Sequence, residues 1–225
     1  MNLLHPNIKI SNDIYTQFHD CLKFAKGERD VTNFLKRHLY LLRGVDRMWN
    51  AKFAAHEVKL GNDYIIDFLT LSADSGKWCV SLFEAQSSND SIYTKKGSHT
   101  KELREAYKQL QEWKIWINHN KQLFREILAK IVDDDYPACC SNASIHTYAR
   151  SELRDMKTVL YERYVALIGR RSDRTCEKNL RASEEFFEII TYDRLLDEAQ
   201  KLQLWLSSPP NTILYKANEL SGYQK

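Results

Sequence analysis

IIDFLTLSADSGKWCVSLFEAQ, residues 65 to 86, decides how this chain folds. Two apolar runs rich in β-branched and aromatic residues flank the polar turn SADSGK, a pattern of two strands joined tip to tip. Each run carries an acid: Asp67 interrupts the first and Glu84 closes the second. A lone carboxylate is costly to bury unless it is paired, hydrogen-bonded or bound to a cation, so acids in these places need a partner. The bland alternative is two exposed acids at strand ends. Because strand side chains alternate, Glu84 and Gln86 project from one face and Ala85 from the other.

Upstream, residues 52 to 60 (KFAAHEVKL) alternate loosely and Gly61-Asn62 makes a turn, so the segments 52–60, 63–71 and 77–84 read as a meander. Before it, residues 12 to 42 carry helical stripes divided at Gly27, with Glu28 opening the second helix where its charge suits the helix dipole. Downstream, the polar stretch from Ser87 to Ser98 is long enough to be functional. A strong helix follows from Thr100 to about Asn118, on which Gln109 and Trp113, four apart, share a face. A further helix runs to about Val132, and the loop DDDYPACCSNAS after it carries aspartates that read as solvated. Residues 159–169 and 186–191 read as strands separated by the arginine-rich GRRSDRTCEKNLRASEE. A last helix starts at Tyr192-Asp193 and is stopped by Pro209-Pro210.

The expected fold class is therefore α/β, a mixed central sheet flanked by helices. All 225 residues form a single domain: an N-terminal helical segment over 1–50, a core over 51–205 and a peripheral tail over 206–225. Against 33 Lys and Arg stand 30 Asp and Glu, a formal charge of +3, so any surface for nucleic acid has to be local. No run is long and apolar enough for a membrane span or a signal peptide. Five cysteines, odd in number and without paired zinc spacing, fit a reducing, cytoplasmic setting.

Asp67, Glu84 and the backbone carbonyl of Ala85 offer oxygen ligands to a hard divalent cation, and Mg²⁺ commonly takes one or two carboxylates while keeping waters. Such an ion lowers the pKa of a bound water and polarises a phosphodiester. Arg170 and Arg171, directly after a strand, are candidates for phosphate contact because guanidinium binds phosphate in a bidentate fork. On the first strand of the meander His56 and Glu57 face opposite ways, and Glu57 is the one expected to enter the cleft.

The arrangement of Asp67 with Glu84-Ala85-Gln86 resembles the PD-(D/E)xK nuclease core, and the wider pattern resembles the Shedu anti-phage nuclease family. The resembling pieces are FLKRHLYLL at 34–42, LGNDYIIDF at 60–68, LFEAQ at 82–86, KELREAYKQLQEWKIWINHN at 101–120, ALIGRR at 166–171 and ITYDRLLDEAQKL at 190–202. The resemblance implies a restriction-endonuclease-like core that cleaves phage or other foreign DNA with Mg²⁺, for which Mn²⁺ can substitute, in proteins that form homo-oligomers. It makes Asp67, Glu84 and Gln86 the catalytic set, with Asp67, Glu84, the Ala85 carbonyl and the N-terminal helical acid Glu28 as metal ligands. Gln109 with Trp113 matches a helix motif of related nucleases, although indole cannot accept as a phenol does. Gln86 is the larger departure: a neutral amide stands where the pattern has a lysine. Lys95 or Lys96, in the loop beyond, is a candidate source of the missing charge and of phosphate contact, set against the plainer reading of a solvated loop.

Three functions follow. The leading one is a metal-dependent endonuclease; the second is a DNA-binding or sensing module of the same fold that has lost catalysis through Gln86. The third is a structural oligomerisation subunit, favoured if Trp113 and Trp116 line an interface rather than a core.

Overall fold

The computed structural model describes residues 10–45, 51–74, 76–133, 143–173 and 186–207. Within them the helices are α1 (Ile14–Phe24), α2 (Glu28–Arg37), α3 (Lys101–His119), α4 (Lys121–Asp133), α5 (Ala143–Arg154) and α6 (Tyr192–Leu206). The strands are β1 (Ala51–Leu60), β2 (Tyr64–Asp74), β3 (Lys77–Ala85), β4 (Val159–Leu167) and β5 (Phe187–Ile190). The expectations for the tail, the aspartate-rich loop and most of the arginine-rich segment fall outside the described residues.

Five strands lie in the order β1-β2-β3-β4-β5. The first three form the expected antiparallel meander, whereas β4 joins β3 and β5 joins β4 in parallel. A parallel neighbour cannot be reached by a hairpin. The crossover from β3 to β4 therefore carries α3, α4 and α5, of which α5 was not expected. Its apolar positions are spaced four apart at Ile145, Ala149 and Leu153, but the polar residues between them hide the stripe.

The two faces of the sheet bury separate cores. Leu69, Leu82 and Ala166 pack with Leu103, Leu110 and Leu128 from α3 and α4 on one side. On the other, Phe68, Phe83 and Val165 meet Phe18 of α1, Leu35 of α2 and Leu195 of α6, together with the 3-10 turn Leu39–Val45. The N-terminal helices thus form part of a layer of the fold. Gly27 caps α2, as its place between two stripes predicts.

Helix α3 starts where Thr100 accepts a hydrogen bond from the Leu103 amide at 3.4 Å. Leu103, Ala106, Leu110, Trp113 and Ile117 recur at helical spacing and are fully buried. Trp116 lies against Gly61, where a Cβ would meet its ring at 3.2 Å. Trp113 is core, and Trp116, partly exposed, packs against the same core, which weakens the ground for reading α3 as an interface.

One irregularity prepares the site. Along β1 the positions in the first core are Phe53 and Ala55, then Val58 and Leu60; along β2 they are Ile66, then Leu69 and Leu71. Regular alternation keeps one parity, so both strands change phase in the same row. The pairs His56 with Phe68 and Val58 with Ile66 bracket that row and set Glu57 across from Asp67. Glu57 has φ 52°, a left-handed backbone unusual for a non-glycine residue inside a strand.

Candidate functional site

Asp67 and Glu84 meet because β2 and β3 are antiparallel and in register: Phe68 pairs with Phe83, and the next row outward holds the two acids. Asp67 accepts a hydrogen bond from the Ala85 amide at 2.8 Å. Glu84 Oε1 accepts from Gln86 Nε2 at 3.2 Å, so Glu84 and Gln86 do share a side, as strand alternation requires. Only 5% of Glu84 is exposed. Its second oxygen, Oε2, is buried and lacks a hydrogen-bond donor.

Burial, then the neighbouring charges of Asp67 and Glu28, push the Glu84 carboxyl up to about 9. Asp67 is also raised, chiefly by burial, while the Ala85 amide and the charge of Lys36 act against it. The two carboxyls lie within hydrogen-bonding reach of one another. At neutral pH the pair therefore favours holding a proton, because two carboxylates this close would otherwise repel.

Further acids surround the pair. Glu28 opens α2 and keeps much of its surface in solvent. Its carboxyl is raised by partial desolvation and then by Asp67 and Asp90. Asp90 folds back on its own loop, accepting from the Ser87 amide at 3.2 Å, and burial again raises it. Among the described residues no three His, Cys, Asp or Glu side chains gather closely enough to hold a metal ion on their own. Glu28 is felt by the pair through its charge but does not close a three-acid cage with it.

Tyr192, at the first position of α6, is fully buried, and its hydroxyl donates to the Gln86 carbonyl at 2.7 Å. Burial and the surrounding acids hold its proton on, so it remains a donor. The Gln86 amide in turn donates to the Leu167 carbonyl at 2.8 Å. Both main-chain groups of Gln86 are thus fixed, which points its side chain at Glu84. Tyr192 was not singled out in the sequence; its place immediately after a short buried strand was the available signal.

Other expected residues fall elsewhere. Lys95 and Lys96 are exposed in a tight turn closed by Thr94 and Ser98. Arg170 forks onto Asp193, with Nη2 at 2.9 Å from the carboxylate, and Arg171 pairs with Asp197 at 2.5 Å. These arginines are committed to the start of α6. Gln109 is half-buried on α3 and hydrogen-bonds neither acid, and Trp113 is core. Glu57 stands across from Asp67 but is mostly exposed, and its carboxylate accepts from Lys36 Nζ at 2.7 Å. His56 Nδ1 approaches the other oxygen of Glu57 at 3.5 Å.

A pair of acids with an unpartnered buried oxygen, made unfavourable by its own charge, fits a divalent cation. The ion would replace the shared proton, taking Asp67, Glu84 Oε2 and a main-chain carbonyl as oxygen ligands and keeping waters elsewhere. No helix among the described residues is long and apolar enough to cross a membrane. The family model described as "Shedu protein SduA, C-terminal" matches residues 25–196, from just ahead of α2 into α6. No curated protein matches the chain.

Proposed function

The chain belongs to the Shedu SduA C-terminal family, which suggests an anti-phage defence protein, and from that premise we propose that it is a metal-dependent endonuclease acting on foreign DNA. The observation that carries this reading is the Asp67–Glu84 pair, with one buried oxygen left without a donor and a carboxyl raised to about 9. A structural acid has no reason to be kept in that state, whereas perturbed acids converging on one place are a common mark of a functional site. The arrangement is also what a restriction-endonuclease-like core would supply.

Bound there, Mg²⁺ or Mn²⁺ would lower the pKa of a coordinated water and offset the charge of the phosphodiester. Asp67 and Glu84 would hold the ion, with the Ala85 carbonyl as a further oxygen. Gln86 positions the attacking water through its amide, whose direction Tyr192 fixes by gripping the main chain. In the hydrolysis the water oxygen bonds to phosphorus and the bond to the leaving oxygen breaks. The water's proton is lost as the leaving oxygen gains one, giving a phosphomonoester and a free hydroxyl.

One observation favours a second reading, a DNA-sensing module without catalysis. The Gln86 amide is spent on Glu84 Oε1, and nothing at position 86 brings positive charge. Plasmid cleavage with Mg²⁺, Mn²⁺ or EDTA separates the two, with Glu84→Ala as control. Cutting by the wild type that needs the ion and is lost in Glu84→Ala supports the nuclease. Salt-sensitive DNA binding with no cutting of circular, linear or single-stranded DNA replaces it with the sensor.

A further inference from the structure

The position that would hold a lysine in the sequence pattern holds Gln86, and the lysines of the following loop stay in solvent. A different lysine stands by the acids. Lys36 lies in the last turn of α2, eight residues beyond Glu28, or roughly 12 Å along the helix axis. Its Nζ donates to Glu57 Oε1 at 2.7 Å, and Glu57 is the residue across the sheet from Asp67. Only 28% of the lysine side chain is exposed. Its charge reaches Asp67 and works against the burial of that acid.

The left-handed backbone of Glu57 gives this contact its geometry. A glutamate at φ 52° in the middle of a strand is strained, and persists where its surroundings dictate it. Here the kink leaves Glu57 outside the ladder pairs that flank it and aims its carboxylate at α2 rather than into the sheet. The result is a lysine anchored to the residue that stands across the sheet from Asp67, with its charge felt by that acid.

We propose that Lys36, steered by Glu57, is the phosphate-facing cation of the Asp67–Glu84 site and takes the part that the neutral amide of Gln86 cannot fill. The inference rests on the nuclease reading for its substrate, a DNA phosphodiester. An ammonium delivered from α2 offsets phosphate charge without occupying the strand position next to Glu84. That leaves the Gln86 amide to position the attacking water, while the positive charge comes from α2.

The test compares wild type, Lys36→Met, Lys36→Arg and the double variant Lys36→Met, Gln86→Lys. Calorimetric titration with Mn²⁺ is one readout and cleavage the other. Removing a positive charge next to the acids should tighten Mn²⁺ binding at least threefold in Lys36→Met, while cleavage falls about tenfold to a thousandfold. Lys36→Arg should keep Mn²⁺ affinity near wild type, and Gln86→Lys should restore part of the lost cleavage. Opposite movement of ion affinity and rate is not expected of a lysine that only ties α2 to β1. Unchanged Mn²⁺ affinity, or wild-type cleavage by Lys36→Met, overturns the proposal while leaving the nuclease intact. Should the wild type cut no DNA, the nuclease reading falls on its own. Lys36 is then judged by binding of a short duplex in Ca²⁺: tighter Mn²⁺ with weaker duplex in Lys36→Met upholds a phosphate-facing cation, and no change in either overturns it.

Discussion

Glu84 is the residue on which the proposed chemistry turns, because its proton and a divalent cation would compete for the same oxygens. With the folded carboxyl near 9 and the unfolded value of 4.5, the folded chain holds the extra proton across that interval. Ion binding must expel it, so Mn²⁺ affinity should rise steadily from pH 6 to pH 8.5, with close to one proton released at the lower end; calorimetry in buffers of different ionisation enthalpy measures this. Glu84→Gln keeps the shape but removes the titration, and should lose most Mn²⁺ binding. Gln86→Ala should behave differently. Asp67 and Glu84 still hold the ion, so cleavage should drop about tenfold to a thousandfold with Mn²⁺ affinity nearly intact. Equal cleavage by wild type and Gln86→Ala would make Gln86 a strand-edge spacer only.

At the scale of the element, β1 and β2 each change phase at the Glu57–Asp67 row, and the strain of that change is concentrated in one residue. Glu57→Gly relieves the left-handed backbone and gives up a half-exposed ion pair worth little, so stability should hold or rise by up to about 1 kcal/mol. Glu57→Val places a β-branched residue where it is least tolerated, and should cost about 1–3 kcal/mol in urea unfolding. The crossover has its own fastening. Arg125 of α4 is buried and donates to the carbonyls of Leu153, Asp155 and Thr158, at 3.1, 2.9 and 2.7 Å, tying α4 to the end of α5 and the entry of β4. Arg125→Met leaves three acceptors short of a donor and should cost about 2–5 kcal/mol, read by the same unfolding measurement.

For the whole molecule, Glu28, Asp67, Glu84 and Asp90 are all raised in the folded chain. A raised carboxyl favours folding fully below its unfolded value and loses that contribution as pH climbs through the folded one. Stability without metal should therefore fall from about pH 4.5 toward pH 9, with Glu84 alone accounting for on the order of 3 kcal/mol by pH 7. Thermal unfolding in EDTA at pH 5 and pH 8.5 tests the slope, and excess Mn²⁺ should flatten or reverse it. Assembly draws little support from α3, where Trp113 is internal and Trp116 is half-buried against the core. We propose a homo-oligomer on the resemblance alone, and light scattering reporting only a 26.5 kDa particle at micromolar concentration would remove it.

The sequence by itself determined the meander and the strong helices, because alternation and helical stripes are local patterns: β1, β2, β3, α3 and α6 lie within a few residues of where periodicity puts them. It also marked Asp67 and Glu84, since an acid breaking an apolar run is conspicuous without any partner in view. The parallel placement of β4 and β5 and the helix α5 depended on long-range packing, which a mostly polar segment does not announce. Tertiary structure alone decided the electrostatics of the site. Asp67 and Glu84 are distant in sequence, and only their cross-strand row turns two acids into a pair that holds a proton near pH 9. The same holds for the cations: Arg170 and Arg171 look free in the sequence but are paired by α6, while Lys36, ordinary at the end of a helix, meets Glu57, which stands at a backbone kink across the sheet from Asp67. Which charges meet is settled by what the chain buries between them, and periodicity carries no record of that.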